Sequence, residues 1–443
     1  MDVNQRRFSR KEVLIGGAAA LAGLAAVKLA LPGLSLAQTI PESNRVPGAP
    51  ASPLGARSPF EKPHRTPTSP YAGILQNSQT DLSYQMGVIT PSDLHYQRNH
   101  NGVPTIDPTT YELLIHGMVD RPKVFNLDDL KRFPQVSVQH FMECSGNSSG
   151  HYAGYAPTAT IVQTHGIYSN SEWIGVPLSI LFREVGVQSG AKWFLAESYD
   201  GAAMTRSVPI DKGWADAMIA YGQNGEPIRP EQGYPARLLL PGWEGNINVK
   251  WIRRIKVSDH PFETREETSK YTDPLPALGK ARQFTMEWDA KSVITNPSGG
   301  MTIHNPGFYE ISGLAWSGRG VIDKVEVSTD SGKTWGLATV QGPIYAKAGT
   351  RFRYPWIWDG KEAVILSRCT DEIGYIQPTR NQLLQVRGVS SYHFNGIQAW
   401  KIGADGKVTN TYHEAPLSGF PQAPAALGGE WPLFADCGKP FMA

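Results

Sequence analysis

Cys144 stands where a strand-like run, Val136-Ser137-Val138-Gln139-His140-Phe141, passes through Met142 and Glu143 into the small polar loop Ser145-Gly146-Asn147-Ser148-Ser149-Gly150. A cysteine at such a junction presents its sulfur at the end of a sheet, where a metal ion or a substrate can reach it. A thiolate serves either purpose, as ligand or as nucleophile. The segment alone leaves three readings open. Cys144 is a metal ligand, or a nucleophile with His140 or His151 as its base, or an inert buried thiol, which is the commonest fate of a lone cysteine.

Three further clusters bear on the choice. Gln97-Arg98-Asn99-His100-Asn101-Gly102 packs a cation, amides and an imidazole into one loop, as an anion or a heterocycle would need. Asp200 ends a strand before Gly201, where a turn-forming Asp is the plainer explanation. Gln232-Gly233-Tyr234-Pro235-Ala236-Arg237 leads into Leu238-Leu239-Leu240-Pro241-Gly242-Trp243, and Asn248-Val249-Lys250-Trp251 opens the next strand. Arg237 and Lys250 flanking a glycine-bearing connection could hold a phosphate by charge and by backbone N–H groups.

Elements must carry these loops to one place. Asn126 before Leu127-Asp128-Asp129-Leu130 reads as the cap of a short helix ended by Pro134, and Pro177 to Val185 as another, closed by Gly186. Strand-like runs lie between and after them, at Lys192 to Leu195, Ala236 to Leu240 and Val249 to Val257. Short helices among strands without regular alternation indicate an α+β domain. From about residue 290 the runs Ile311 to Leu314, Val321 to Ser328, Thr334 to Val340 and Ala363 to Arg368 mostly alternate apolar and polar, with Asp330-Ser331-Gly332 as a hairpin turn. With no helix signal among them, they predict an antiparallel β-sandwich.

The chain of 443 residues carries 42 Lys+Arg against 40 Asp+Glu, with no basic block, so a nucleic-acid footprint is absent. Cys144, Cys369 and Cys437 lie far apart and form no CxxC or CxxCH pair, which excludes a zinc ribbon, a thioredoxin motif and a covalently held haem. Residues 1–37 read as an export signal: Arg6, Arg7, Arg10 and Lys11, then the apolar run Val13 to Val27, then Ser35-Leu36-Ala37 before the cut. Fifteen apolar residues fall short of the roughly 20 that span a bilayer, so no membrane span is expected in the mature chain. Arg6-Arg7, or Ser9-Arg10-Lys11-Glu12-Val13-Leu14, could serve as a twin-arginine signal, which predicts a periplasmic protein exported already folded. The signal holds five basic and two acidic side chains, leaving 37 Lys+Arg against 38 Asp+Glu in the remainder. Residues 38–79, with eight prolines from Pro41 to Pro70, read as an extended arm or linker.

Together the motifs resemble the sulfite oxidase family of molybdenum enzymes over about residues 80–405. The family pattern is an R-N-H loop, then C-x-G-N, then H-G-x-P-x-R, then V-K-W. Here these stand as Arg98-Asn99-His100, Cys144-Ser145-Gly146-Asn147, Gln232-Gly233-Tyr234-Pro235-Ala236-Arg237 and Val249-Lys250-Trp251. The resemblance implies an α+β molybdopterin-binding domain of the sulfite oxidase fold at 80–275. An all-β, immunoglobulin-like dimerisation sandwich at 285–405 and an irregular tail at 406–443 would follow. It implies one molybdenum–molybdopterin per chain with Cys144 as the metal ligand. Arg98, Asn99, His100, Asn101, Gly102, Asp200, Gln232, Arg237, Asn248, Val249 and Lys250 map onto positions that hold the pterin and its phosphate. Cys144, Arg98 and Tyr271 map onto the reacting centre, with Arg387 and His393 approaching the pocket from the second domain. Such a group moves an oxygen atom onto a sulfur lone pair and keeps two electrons. With no haem expected in this chain, the electrons need an external c-type cytochrome.

Two departures select a branch. Sulfite oxidases carry an arginine five residues beyond the ligand cysteine, where this chain has Ser149, and a histidine where it has Gln232. Loss of a cation weakens the hold on a small dianion. Glu143-Cys144-Ser145-Gly146-Asn147, Thr164-His165-Gly166 and Pro241-Gly242-Trp243-Glu244-Gly245-Asn246 look instead like the SoxC branch, the catalytic half of sulfane dehydrogenases in bacterial thiosulfate oxidation. That implies a sulfur carrier protein as substrate, a dihaem cytochrome subunit as partner, and a homodimer or hetero-oligomer. The alternatives are a sulfite dehydrogenase that reduces cytochrome c and a cofactor-free assembly subunit that keeps the fold.

Overall fold

The computed structural model describes residues 40–48, 50–68, 77–275, 278–389 and 392–412. The export signal, Cys437 and the chain beyond Tyr412 lie outside them. The chain divides into the units Met1–Lys62 and Pro63–Ala443. In the first, the described residues carry a short 3-10 turn, Glu42–Arg45. The other described elements belong to the second.

Its first half is built on two five-stranded sheets around one core. One sheet runs Glu226–Pro227, Met218–Gln223, Tyr168–Pro177, Val136–Glu143, with Arg237–Leu239 also on Met218–Gln223. The other runs Lys123–Asn126, Glu112–Gly117, Ile252–Ser258, Trp193–Ser198, Thr205–Pro209, and its Glu112–Gly117 and Ile252–Ser258 pair is parallel. The helix Leu178–Val185 buries Leu178, Leu181, Phe182 and Val185, the i, i+3, i+4, i+7 stripe of one face. Those side chains join Leu113, Ile115, Phe194, Ile219, Leu238 and Ile255 from both sheets. Each such side chain contributes about 1.5–3 kcal/mol by leaving water. The short helix Leu127–Arg132 carries the expected cap as a capping box between Asn126 and Asp129.

The second half is a sandwich of a four-stranded sheet (Lys291–Asn296, Gly307–Trp316, Thr350–Trp358, Thr339–Gln341) and a five-stranded one (Gly336–Leu337, Ile322–Ser328, Ala363–Asp371, Ala399–Ile402, Val408–Thr411). Val293, Leu314, Trp316 and Phe352 of the first sheet share a core with Val325, Ile365, Cys369, Trp400 and Ile402 of the second. The antiparallel sandwich expected from the alternating runs, immunoglobulin-like in the family resemblance, is therefore present. Phe141, Tyr168 and Leu82 from the first half enter the same core, which ties the two halves into one unit.

The structure departs from expectation in several places. Thr66–Pro67 and Asn77–Gln79, inside the presumed linker, pair with each other, and Asn77–Gln79 also pairs with Gln97–Arg98. Two- and three-residue polar strands show no periodicity to read. A helix, Arg380–Arg387, lies within the sandwich region where none was expected, capped reciprocally by Thr379 and Gln382. The sandwich also continues past residue 405 into Val408–Thr411, which pairs with Ala399–Ile402. Among the described residues no helix is long and apolar enough to cross a membrane.

Candidate active site

The strand Val136–Glu143 pairs antiparallel with Tyr168–Pro177 along its whole length and stops one residue before Cys144. There the chain turns: Cys144 N–H donates to the Ile167 carbonyl (3.1 Å) and the Cys144 carbonyl accepts from Asn147 N–H (2.9 Å). Asn147 explains the last position of the C-x-G-N motif. Its Oδ1 accepts from Ile167 N–H (3.0 Å) while its Nδ2 donates to Glu143 Oε1 (2.8 Å), so one side chain braces the loop on both sides. Cys144 is partly buried and lines a cleft enclosing about 650 Å3 of empty space, its open mouth included.

A cationic wall, Arg98, Arg237 and Lys250, lines the same cleft. Arg98 Nη1 is held by Asn77 Oδ1 (3.2 Å) and the Asn99 carbonyl (3.1 Å). Lys250 Nζ donates to the carbonyls of Arg98 (3.1 Å) and Glu231 (2.9 Å) and to Asn99 Oδ1. Arg237 is 2% exposed and donates to the carbonyls of Gln232 (2.9 Å) and Asn248 (3.0 Å). Gln232 Nε2 in turn donates to the Tyr96 carbonyl (2.8 Å). Gly233, at φ +115°, is required here, because a Cβ would lie 3.0 Å from Arg237 Cβ and 3.2 Å from Lys250 Cβ. Burial, reinforced by Arg237, pushes the Lys250 ammonium well below its ordinary pKa. Burial lowers Arg237 to about 10. Burial, then Arg98 and Lys250, lower His100 to about 3, so its imidazole is neutral.

Tyr271 closes the side of the cleft. Its hydroxyl lies 3.1 Å from His100 Nε2, and the Arg206 guanidinium sits 5.3 Å from its ring centre. The turn that delivers it, Glu266–Lys270, is anchored by the buried Glu267 carboxylate, which accepts from Ser207 Oγ (2.9 Å), Ser207 N–H and Thr264 N–H (3.0 Å). Asp200 also lines the cleft and accepts from Ser198 Oγ.

Eleven of the expected site residues therefore meet: Arg98, Asn99, His100, Cys144, Asp200, Gln232, Arg237, Asn248, Val249, Lys250 and Tyr271. Asn101 and Gly102 do not line the cleft. The Asn101 amide fills the place a side chain on Gly201 would take, and Gly102 turns the chain at φ +70°. The side chain of Asn248 holds its own loop through the Leu240 N–H (2.6 Å) and the Glu244 carbonyl (3.0 Å). Arg387 and His393 lie elsewhere. Arg387 pairs with Asp273 (3.3 Å), His393 sits between Glu244 (2.9 Å) and Asp289 (3.0 Å), and both line a second cleft with Arg319. Neither His140 nor His151 lines the cleft of Cys144. His140 Nδ1 lies 3.2 Å from the Lys347 carbonyl and His151 Nδ1 3.1 Å from the Tyr412 hydroxyl, so neither is placed as a base for the thiol. Ser149 is 7% exposed and outside the lining, so an arginine there would have to displace packed neighbours.

Sequence reasoning missed Tyr96, Met142, Ser198, Met204, Gly245, Asn246 and Trp251, which complete the lining. Gly245 could have been found. It lies in a quoted motif, and a Cβ on it would meet the Tyr96 hydroxyl at 2.8 Å and the Glu143 carbonyl at 2.9 Å. Ser198 and Met204 carry no pattern that would single them out.

Arg237 and Lys250 donate to carbonyl and amide oxygens, and among the described residues the buried Arg237 Nε–H has no hydrogen-bond partner. Asp200 and Glu231 act on Lys250 through space, whereas Arg237 donates to neutral acceptors. A buried cation held in that way is costly, which suits the cleft to an anionic guest. A phosphate-bearing pterin with its metal near a cysteine sulfur fits that donor set.

Comparison with known proteins agrees. Residues 100–266 match the model of the oxidoreductase molybdopterin binding domain, and residues 282–399 that of the Mo-co oxidoreductase dimerisation domain. The chain is 28% identical to sulfite oxidase of Gallus gallus over 378 residues, 77% of this chain and 80% of that protein. It is 31% identical to a nitrate reductase (NADPH) of Phytophthora infestans over 64% of this chain, but spans only 34% of that longer protein. The crystal structure of the sulfane dehydrogenase SoxCD from Paracoccus pantotrophus superposes with a TM-score of 0.81 at 42% identity, covering 84% of this chain and 97% of that one. The chain belongs to the sulfite oxidase family of molybdenum-dependent oxidoreductases, and within it is SoxC-like.

Proposed function

We propose that this chain is the catalytic subunit of a periplasmic enzyme that oxidises sulfane sulfur on a carrier protein and passes the electrons to a c-type cytochrome subunit. The observation that carries this reading is the 42% identity to the SoxCD chain across nearly its full length, against 28% to a sulfite oxidase. The twin-arginine-like start of the sequence supports export, and the dimerisation-domain match supports assembly as a homodimer or with the cytochrome.

In this reading Cys144 is the protein ligand of molybdenum. Arg237 and Lys250 hold the pterin phosphate, with Arg98, Asn99, His100, Gln232 and Asp200 along the pterin and the backbone of Asn248 and Val249 as a wall. The bound group supplies oxygen-atom transfer to sulfur and retains two electrons. The chain's own residues do the rest. Neutral His100 can accept the Tyr271 hydroxyl proton in a hydrogen bond, which fixes that phenol at the side of the cleft. Arg206 lies against the ring as well, a contact worth about 0.5–2 kcal/mol when desolvated.

Substrate choice follows from charge. The arginine that sulfite oxidases carry five residues beyond the ligand cysteine is replaced here by Ser149, buried outside the lining, so one cation for a small dianion is lost, and a buried charge-assisted contact is worth about 1.5–3 kcal/mol, or one to two decades in affinity. A carrier-bound sulfane sulfur carries less local charge and gains contacts around the mouth. The test is steady-state cytochrome c reduction with sulfite and with a sulfur-loaded carrier. The carrier is expected to win in kcat/KM by about tenfold or more. Efficient sulfite oxidation with indifference to the carrier would install the second reading, a sulfite dehydrogenase. A purified protein without molybdenum would instead leave the assembly-subunit reading.

A further inference from the structure

Glu143, the residue before Cys144, is fully buried, and so is Lys291 at the start of the sandwich strand Lys291–Asn296. Their charges meet at 2.6 Å. The second Glu143 oxygen accepts from Trp316 Nε1 (2.6 Å), and the Glu143 carbonyl accepts from Trp288 Nε1 (3.0 Å). Lys291 Nζ also donates to Ser148 Oγ (2.9 Å), and it lies 5.2 and 5.8 Å from the ring centres of Trp288 and Trp316. On the far side of the cysteine, the Ser145 carbonyl accepts from His393 N–H (2.8 Å). The sandwich therefore grips the loop just before Cys144, just after it, and at its far end.

An ion pair this deep is weak support for stability, since two desolvated charges are often matched by apolar residues of the same volume. What it supplies is direction: a carboxylate with three donors at fixed angles has one placement. We propose that Lys291 is a positioning residue, reaching from the sandwich to the Glu143 carboxylate and the Ser148 hydroxyl to set where the Cys144 sulfur stands in the cleft. This rests on Cys144 as the molybdenum ligand.

The test uses purified holoenzyme and the variant Glu143→Gln/Lys291→Met, which removes both charges and leaves none unpaired. Molybdenum per chain, melting temperature, the cysteine-sulfur-to-metal absorption band, and kcat and KM are measured together. The expected result is a melting temperature close to wild type, a shifted or weakened band, and kcat lower by about tenfold or more with KM little changed, since small misplacements at a reacting centre are costly. A folded, metal-loaded variant with the wild-type band and kcat overturns the proposal. If the double variant does not accumulate as folded holoenzyme, Ser148→Ala decides. It cuts only the far leg of the grip and should lower kcat about threefold and displace the band, and wild-type values in both overturn the proposal. Wild-type protein without molybdenum or the band refutes the ligand reading of Cys144 itself, a different failure from the one above.

Discussion

At the scale of the residue, the loop around Cys144 separates what a side chain does from what it is held by. Cys144 is partly accessible, yet Ser145, Asn147, Ser148 and Ser149 around it are buried, so the loop presents the cysteine and hides the polar side chains beside it. Replacing Cys144 by Ser alters a single atom in a place the backbone already fixes through Ile167 and Asn147. A neutral hydroxyl is a far poorer soft-metal ligand than a thiolate. Cys144→Ser should therefore keep the melting temperature within a few degrees while molybdenum per chain falls by about tenfold or more, read by mass spectrometry of the metal in purified protein. A variant that keeps its metal and its turnover would remove Cys144 from the site. The neighbouring glycines are held to type by space as well as by dihedral angle. Gly233 and Gly245 stand where a Cβ would press on Arg237 and Lys250, or on Tyr96 and the Glu143 carbonyl.

At the scale of the element, the turn Glu266–Lys270 shows how little local sequence can say about placement. Its anchor, Glu267, is 0% exposed, and its bonds run to Ser207 and Thr264 and its charge to Arg206, 3.6 Å away. Glu267→Ala would leave Arg206 buried and unpaired and release the turn that carries Tyr271. Breaking a buried pair from one side costs about 3–5 kcal/mol, so the denaturation midpoint should fall sharply, while Glu267→Gln, which keeps the acceptor, should lose less. Equilibrium unfolding in urea distinguishes the two. The same contrast explains what was legible in the sequence. The four site motifs were visible because charge, glycine and proline are concentrated at fixed spacing in Arg98 to Gly102, Cys144 to Asn147, Gln232 to Arg237 and Asn248 to Trp251. The helix Arg380–Arg387 was not, since Leu383 and Leu384 are its only buried large apolar side chains and Val386 is 69% exposed. The strand Thr350–Trp358 was hidden by Arg351, Arg353 and Pro355. Its partner Thr339–Gln341 ends opposite Arg353, so the prolyl nitrogen lies past the last bond on that edge. No local pattern could reveal Lys291 or Trp316, which reach Glu143 across 148 and 173 residues of chain.

At the scale of the whole molecule, the histidines outside the Cys144 cleft set how the fold responds to pH. Burial lowers His95 to about 3 and His140 to about 4 and holds His151 and His165 well below the ordinary value, with Lys291 adding to the effect on the latter two. In the folded chain these four are neutral at pH 5, whereas in the unfolded chain each titrates near 6.5. Below that pH the unfolded state binds more protons, so stability is fully present above 6.5 and is lost as pH falls. Each contributes a slope of about 1.4 kcal/mol per pH unit, and four together amount to about 5.5 kcal/mol per unit until His140 begins to charge. His393 has the opposite sense. Burial and Arg387 act to lower it, but Asp289 and Glu244 on its two nitrogens outweigh them and raise it. Its share of stability is present below 6.5 and lost as pH rises through its folded value. The two effects fall on opposite sides of 6.5 and do not cancel, so melting temperature should fall as pH drops from 6.5 to 5, while above 6.5 the lowered Lys212 (about 8) and Lys250 act against His393. Calorimetry of the holoenzyme from pH 4.5 to 9 checks this, with His151→Phe expected to flatten the acid limb by about a quarter. A curve level between pH 7 and 5 would mean that water reaches these imidazoles. In that case the aromatic packing of His151 against Tyr155 and Phe394 is looser than their 4.6 and 5.0 Å ring separations imply.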